Sequence, residues 1–117
     1  MEKPADTQYP VLDVIKRRWS PRAFSPDRSV EPQKLRRLFE AARWAASSFN
    51  EQPWRFILAT NDQPERYQKV LSCLVETNQK WARHAPVLGL TCISNRFQKN
   101  DKPNRVALHD LGLAMGN

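Results

Sequence analysis

The sequence has no apolar run near the roughly 20 residues that a membrane-spanning helix needs. Its first residues, Met1-Glu2-Lys3-Pro4-Ala5-Asp6, lack the basic-then-apolar order of a signal peptide. No membrane contact is expected, and the cytoplasm is the expected location. Cysteine is scarce: Cys73 and Cys92 stand 19 positions apart. That spacing is neither a metal pair nor a CxxC redox motif, so reduced, buried thiols are expected. Histidine is equally scarce. His84 and His109 have no acidic or cysteine partner at ligand spacing, so both read as structural or surface residues and no metal site is expected. The basic residues come in ones and twos, or as Lys16-Arg17-Arg18, without the long run that makes a nucleic-acid arm. Internal repeats and low-complexity segments are absent.

What is present suffices for one folded domain. A chain of 117 residues can bury most of its apolar surface, and 40% hydrophobic residues supply a core. Lys and Arg outnumber Asp and Glu by 19 to 12, a net charge of +7. That permits an anionic partner, whether nucleic acid, phosphorylated cofactor or acidic protein, and does not choose among them.

Residues 1–10 are polar with two prolines and read as an extended arm, with a single domain over 11–117. Val11, Val14 and Ile15 recur at helical spacing and predict a short helix to about Trp19. Pro21 pushes Ser20 out of the helical region and ends it. Three arginines and a serine (Arg17, Arg18, Ser20, Arg22) thus surround one helix end and turn. Arginine forks match phosphate oxygens, although a solvated basic turn has the same composition.

Pro32 suits the first position of a helix over about 31–45, with Leu35, Leu38, Phe39, Ala42 and Ala45 or Ala46 as its apolar stripe. A strand over 55–60 follows. A helix is expected over about 65–75, with Tyr67, Val70, Leu71 and Leu74 inward, and a second piece over 77–83. The near-continuous apolar run 87–94 predicts a strand buried on both faces. Residues 95–103 form a polar loop. A final helix starts at Asn104, with Leu108, Leu111 and Met115 as its apolar line. That face has nothing after it to pack on, and two strands make a small sheet. The chain therefore reads as the first part of something larger, or as a protomer completed by a partner.

The stretch Ala46-Ser47-Ser48-Phe49-Asn50-Glu51-Gln52-Pro53-Trp54-Arg55-Phe56 joins the long helix to the first strand. Ser47, Ser48, Asn50 and Gln52 can all donate and accept hydrogen bonds. Such groups, held between two ordered elements and backed by large aromatics, often carry function; a helix end followed by a tight turn is the plainer reading.

Three motifs occur together: Arg17-Arg18-Trp19-Ser20-Pro21-Arg22-Ala23-Phe24, the run Ala41–Phe56, and His109-Asp110-Leu111-Gly112-Leu113-Ala114. In this order and spacing they resemble the FMN-dependent nitroreductase family, from about Val11 to the end of the chain. The resemblance implies an α+β fold with a central sheet flanked by helices, an intertwined homodimer, and two FMN molecules at its interface. Family chains are longer, so only the N-terminal part of the fold is expected here. Carried onto this sequence, Arg18 and Ser20, with Trp19 between them, would hold the FMN phosphate. Arg22 would sit near the pyrimidine edge of the flavin. Ser47, Ser48 and Asn50 would reach the cofactor bound mainly by the other chain, and Gln52 would shape their loop. Asn78 would bond the flavin ring.

The implied reaction passes a hydride from NADH or NADPH to FMN, then to a nitro compound, quinone or similar small-molecule acceptor, in ping-pong order. No side chain has to act as a nucleophile, so no catalytic residue is expected. Trp19 stands where family members vary, and Ala46 where many have proline. The missing C-terminal part would supply further phosphate contacts, which leaves open a non-catalytic remnant that binds flavin weakly or only dimerises. A basic nucleic-acid-binding module is the third reading; it would need Trp19, Trp44, Trp54 or Trp81 as exposed stacking platforms.

Overall fold

Two apolar runs pair into the sheet that organises the molecule. In the computed structural model, which describes residues 3–117, β1 (Trp54–Thr60) lies antiparallel to β2 (Val87–Ile93). Alternate side chains of a strand point to opposite faces. Trp54 and Phe56 accordingly join one hydrophobic cluster and Ala59 the other. Paired residues share a face: Ile93, opposite Trp54, packs on the first cluster, and Leu88, opposite Ala59, on the second.

Helices cover both faces. α2 (Pro32–Arg43) and α5 (Ala107–Gly116) supply Ala42, Leu111 and Ala114 to the first cluster, with Ala45 just beyond α2. α3 (Pro64–Leu71) and α4 (Glu76–Ala82) supply Tyr67, Leu71 and Ala82 to the second. The short α1 (Asp13–Arg17) precedes them. The fold is the expected α+β arrangement, a sheet between helices.

α2 forms as its pattern dictates. Pro32 occupies the first turn, where a missing N–H costs nothing. Leu35 and Phe39 are half-buried and Ala42 is buried, but Leu38, expected on the stripe, is 63% exposed. The covered stripe is narrower than the apolar one because α5 reaches only one side of it. α5 starts at Ala107 rather than Asn104. Asn104 instead closes a turn: its Oδ1 accepts the Val106 N–H at 3.2 Å, and its own N–H donates to the Asn95 carbonyl at 2.8 Å. The buried line of α5 is Ala107, Asp110, Leu111 and Ala114. Leu108 and Met115 project to the neighbouring, uncovered face and are exposed.

Three further expectations need correction. β2 is not buried on both faces; Gly89, Leu90 and Cys92 are exposed, because among the described residues β1 is its sole strand neighbour and the helices cover it only in part. Neither thiol is buried. Cys73 lies beyond the end of α3, which stops at Leu71, and Cys92 is paired with the exposed Arg55 on the ladder. α1 is shorter than 11–19 and buries nothing, with Val14 74% and Ile15 59% exposed.

Uncovered faces on this scale show in the whole molecule. The accessible surface is 9767 Å², against about 6,600 Å² for a compact monomer of this mass. The radius of gyration is 16.6 Å, against about 13 Å for a globule of this length.

Tyr67 closes the second cluster. Its ring is buried, and its hydroxyl donates to the carbonyls of Ala85 at 2.6 Å and Ala82 at 3.1 Å, tying α3 to the end of α4. Tyr67→Phe strips the donor from two buried acceptors and should cost about 1–3 kcal/mol. Burial also pushes the phenol above its usual 10.0. The folded chain then holds this proton more tightly than the unfolded one. The resulting stability is present below pH about 10 and is lost as pH rises through the folded value. The gap in melting temperature between wild type and Tyr67→Phe should therefore narrow above pH about 10; a gap that is absent at neutral pH would refute the role given to the hydroxyl.

Candidate functional site

The basic turn hangs from the end of α1. Arg18 leaves the helix with extended backbone (φ −69°, ψ 130°), and its N–H donates to the Ile15 carbonyl at 3.3 Å. Arg18, Ser20 and Arg22 are exposed, and neither arginine forms an ion pair among the described residues. Arg17 pairs with Asp13 at 3.5 Å. Trp19 is partly covered by Lys3, whose ammonium lies 5.3 Å from the ring centre. A cleft of about 430 Å³ is lined by Lys3, Pro4, Asp13, Val14, Arg17, Arg18 and Trp19. At the far end of the turn, Phe24 stacks on Trp81 of α4 with centroids 6.0 Å apart. Asn78 sits one helical turn before Trp81 and accepts its indole N–H at 3.3 Å. Asn78 is thus connected through Trp81 to Phe24, two positions beyond Arg22.

The second segment is the loop 47–52. Its backbone is held in an unusual shape: Phe49, Asn50 and Gln52 have φ of 54°, 55° and 50°. Non-glycine residues seldom adopt this left-handed region, and an aromatic one less than asparagine. Hydrogen bonds hold the shape. Ser47 Oγ accepts the Gln52 N–H at 3.0 Å, closing the base. The Gln52 amide donates to the Arg43 carbonyl and to Asn50 Oδ1 at 3.4 and 3.3 Å. The Ser48 N–H donates to Asp110 Oδ2 on α5 at 3.1 Å. Glu51 Oε1 accepts the Gln98 N–H at 2.7 Å. Pro53 and Trp54 are buried behind the loop, while Phe49 is 92% exposed and meets Phe97 edge-on at 5.8 Å.

Among the described residues, the hydrogen bonds and ring contacts given above for Arg18 to Phe24 and for the 47–52 loop do not join the two segments. The chain supplies one basic turn and, elsewhere, one loop rich in amides and hydroxyls. Among the described residues there is no cluster of metal-ligating side chains and no helix long and apolar enough to cross a membrane. Trp54 is buried and cannot serve as a stacking platform. Asp110 is the functional candidate that received no role from the sequence. Its signal was a carboxylate in helical register with Ala107, Leu111 and Ala114, on the face that packs inward.

The family model described as the nitroreductase family matches residues 15–117. The chain belongs to this family. One relative is the major NAD(P)H-flavin oxidoreductase of Aliivibrio fischeri, 35% identical over 54 residues, which are 46% of this chain and 25% of that one. Another is the protein DrgA of Synechocystis, 41% identical over 52 residues, 44% of this chain and 25% of the relative. Among solved structures, an oxidoreductase containing FMN superposes with a TM-score of 0.84 at 35% identity, covering 93% of this chain and 56% of its own. A protein from Desulfovibrio desulfuricans solved in complex with FMN superposes with a TM-score of 0.71 at 30% identity, covering 94% and 60%. The chain thus spans between about half and two thirds of these family structures.

Proposed function

We propose that the chain is an FMN-dependent oxidoreductase of the nitroreductase type, acting as a homodimer in the cytoplasm. NADH or NADPH is the electron donor, and a nitro compound, quinone or similar small molecule is the acceptor, in ping-pong order through one shared site. The observation that carries the reading is the pair of exposed arginines, Arg18 and Arg22, on either side of Ser20 in the turn. Neither forms an ion pair among the described residues, and Arg18 lines a cleft.

The donor set fits the cofactor. A phosphate monoester carries about −1.5 to −2 charges at neutral pH, and arginine neutralises it best through its bidentate fork. Arg18 and Ser20, with Trp19 between them, hold the phosphate. Arg22 places a cation at the pyrimidine edge of the ring, where negative charge grows on reduction. Asn78, one turn from the stack that fixes the basic turn, offers its amide to the ring. Ser47, Ser48 and Asn50 reach the cofactor held by the partner subunit, from a loop shaped by Gln52. When bound, FMN supplies the two-electron chemistry, and the chain binds, orients and tunes it.

Two features support a dimer. Among the described residues no hydrogen bond or ring contact joins Arg18 to Phe24 with the 47–52 loop, and the surface exceeds that of a compact monomer by roughly 3,000 Å². Arg18→Ala and Asn50→Ala should each take up FMN poorly. Unfolded and refolded together, they should recover one intact site per mixed dimer, read as flavin absorbance retained on gel filtration. No recovery, with dimers confirmed by light scattering, would place both residue sets in the same chain's site. A wild-type chain that shows no flavin bands after incubation with FMN would remove the reading altogether.

A further inference from the structure

We propose that Asp110 is a positioning residue that sets the 47–52 loop for cofactor contact. The proposal rests on the reading of that loop as a flavin contact. Asp110 is 3% exposed and sits among Ala107, Leu111 and Ala114 on the packed face of α5. Among the described residues it forms no ion pair, and its one side-chain hydrogen bond is the Ser48 N–H, 62 positions away in sequence. A buried carboxylate without a cation is costly. A small apolar residue would satisfy the packing at this place. What the carboxylate adds is a charge-assisted bond to the first N–H of the turn at Ser48–Asn50.

That bond sits at the front of the strained part of the loop. Phe49, Asn50 and Gln52 all lie at positive φ, and such residues persist only where the surroundings over-determine them. The other ties are the Ser47–Gln52 bond across the base, the Gln52 amide bonds to the Arg43 carbonyl and Asn50 Oδ1, the turn's own backbone bonds and the Glu51–Gln98 bond at the rear, and their side chains are all less buried than Asp110. Without Asp110 the front of the loop is free to relax, and Ser47, Ser48 and Asn50 lose their common orientation. The role is positional: Asp110 reaches the cofactor through the backbone of Ser48.

The test compares Asp110→Leu and Asp110→Asn with wild type in the full chain. Three quantities are measured: melting temperature, hydrogen exchange of the 47–52 amides without cofactor, and FMN affinity by fluorescence quenching. Leucine suits the apolar neighbours, so Asp110→Leu should melt close to wild type. Its loop amides should nevertheless exchange about tenfold faster, and FMN should bind about tenfold more weakly. Asparagine keeps an acceptor oxygen and should restore part of both losses. A stability change without a loop change, or the two falling in step in both variants, would show a structural role and overturn the proposal. Unchanged FMN affinity in Asp110→Leu, with wild type binding FMN, overturns the Asp110 proposal alone. A wild-type chain that binds no FMN overturns the flavin reading, and the proposal with it.

Discussion

Trp54→Ala should cost about 3–5 kcal/mol of folding stability, the range for emptying a large aromatic site in a core. Trp54 is 8% exposed and is the largest member of the cluster formed with Ala42, Ala45, Leu111 and Ala114. Of the residues clustered with it, Ala42, Ala45 and Ala114 have no long side chains to swing into the void, and Phe56 and Ile93 are held on the strands. The cavity therefore stays open, and the cost falls at the upper part of the range. The same indole backs the 47–52 loop and lies opposite Ile93 on the ladder, so loop order and sheet register weaken with it. A domain of this size has about 5–15 kcal/mol in total, and the variant should melt well over 10 °C lower. Trp54→Phe leaves most of the site filled and should lose clearly less. Thermal melts by far-UV circular dichroism decide the matter: a loss below about 1 kcal/mol for Trp54→Ala would show that Trp54 is not central to the core.

Arg18→Ala should weaken FMN binding by about 1.5–3 kcal/mol, or roughly ten- to a hundredfold. The effect belongs to the site and not to the fold. Arg18 is exposed and makes no ion pair among the described residues, so the melting temperature of the cofactor-free chain should hold. Arg18→Lys keeps the charge and loses the planar fork, so it should fall between alanine and wild type. Raising the salt should narrow the gap between wild type and Arg18→Ala, because screening weakens exposed charge pairs. Equal affinities for wild type and Arg18→Ala by FMN titration would remove Arg18 from the phosphate site.

What could be read in advance depended on whether a residue's fate was local. Pro32, followed by Leu35, Phe39 and Ala42 at helical spacing, carries its own instructions, and α2 forms within two residues of the expected bounds. β1 needs only its apolar run and differs by one residue at its start. Leu38, Leu108 and Met115 are apolar and correctly placed on helices, yet exposed. Their burial depends on elements packed beside them, which periodicity does not contain. Cys92 and the outer part of β2 are exposed for the same reason: an apolar run does not state how many strands will flank it. Of the candidate site, the basic turn and the 47–52 loop stood out as segments, the first by its arginines and the second by the aromatics and proline crowded against its hydroxyls and amides. The left-handed backbone at Phe49 and Gln52 was not legible, since neither glycine nor an Asn-Gly pair announced it. Asp110 stayed without a role because its partner is a backbone N–H, and backbone groups look alike in every sequence.

The open packing of this chain reaches into its thermodynamics. Surface that is wet before melting adds nothing to the heat-capacity rise on melting. An ordinary domain gains about 12–15 cal/mol/K per residue. A chain that already exposes 9767 Å² begins with part of that hydration in place. Its free energy of folding therefore curves less with temperature, and both cold and heat weaken it gradually. Any association that covers the faces left bare by Leu38, Leu108 and Met115 steepens the curve again. Curvature of stability against temperature, followed as a function of protein concentration, thus carries the signature of assembly.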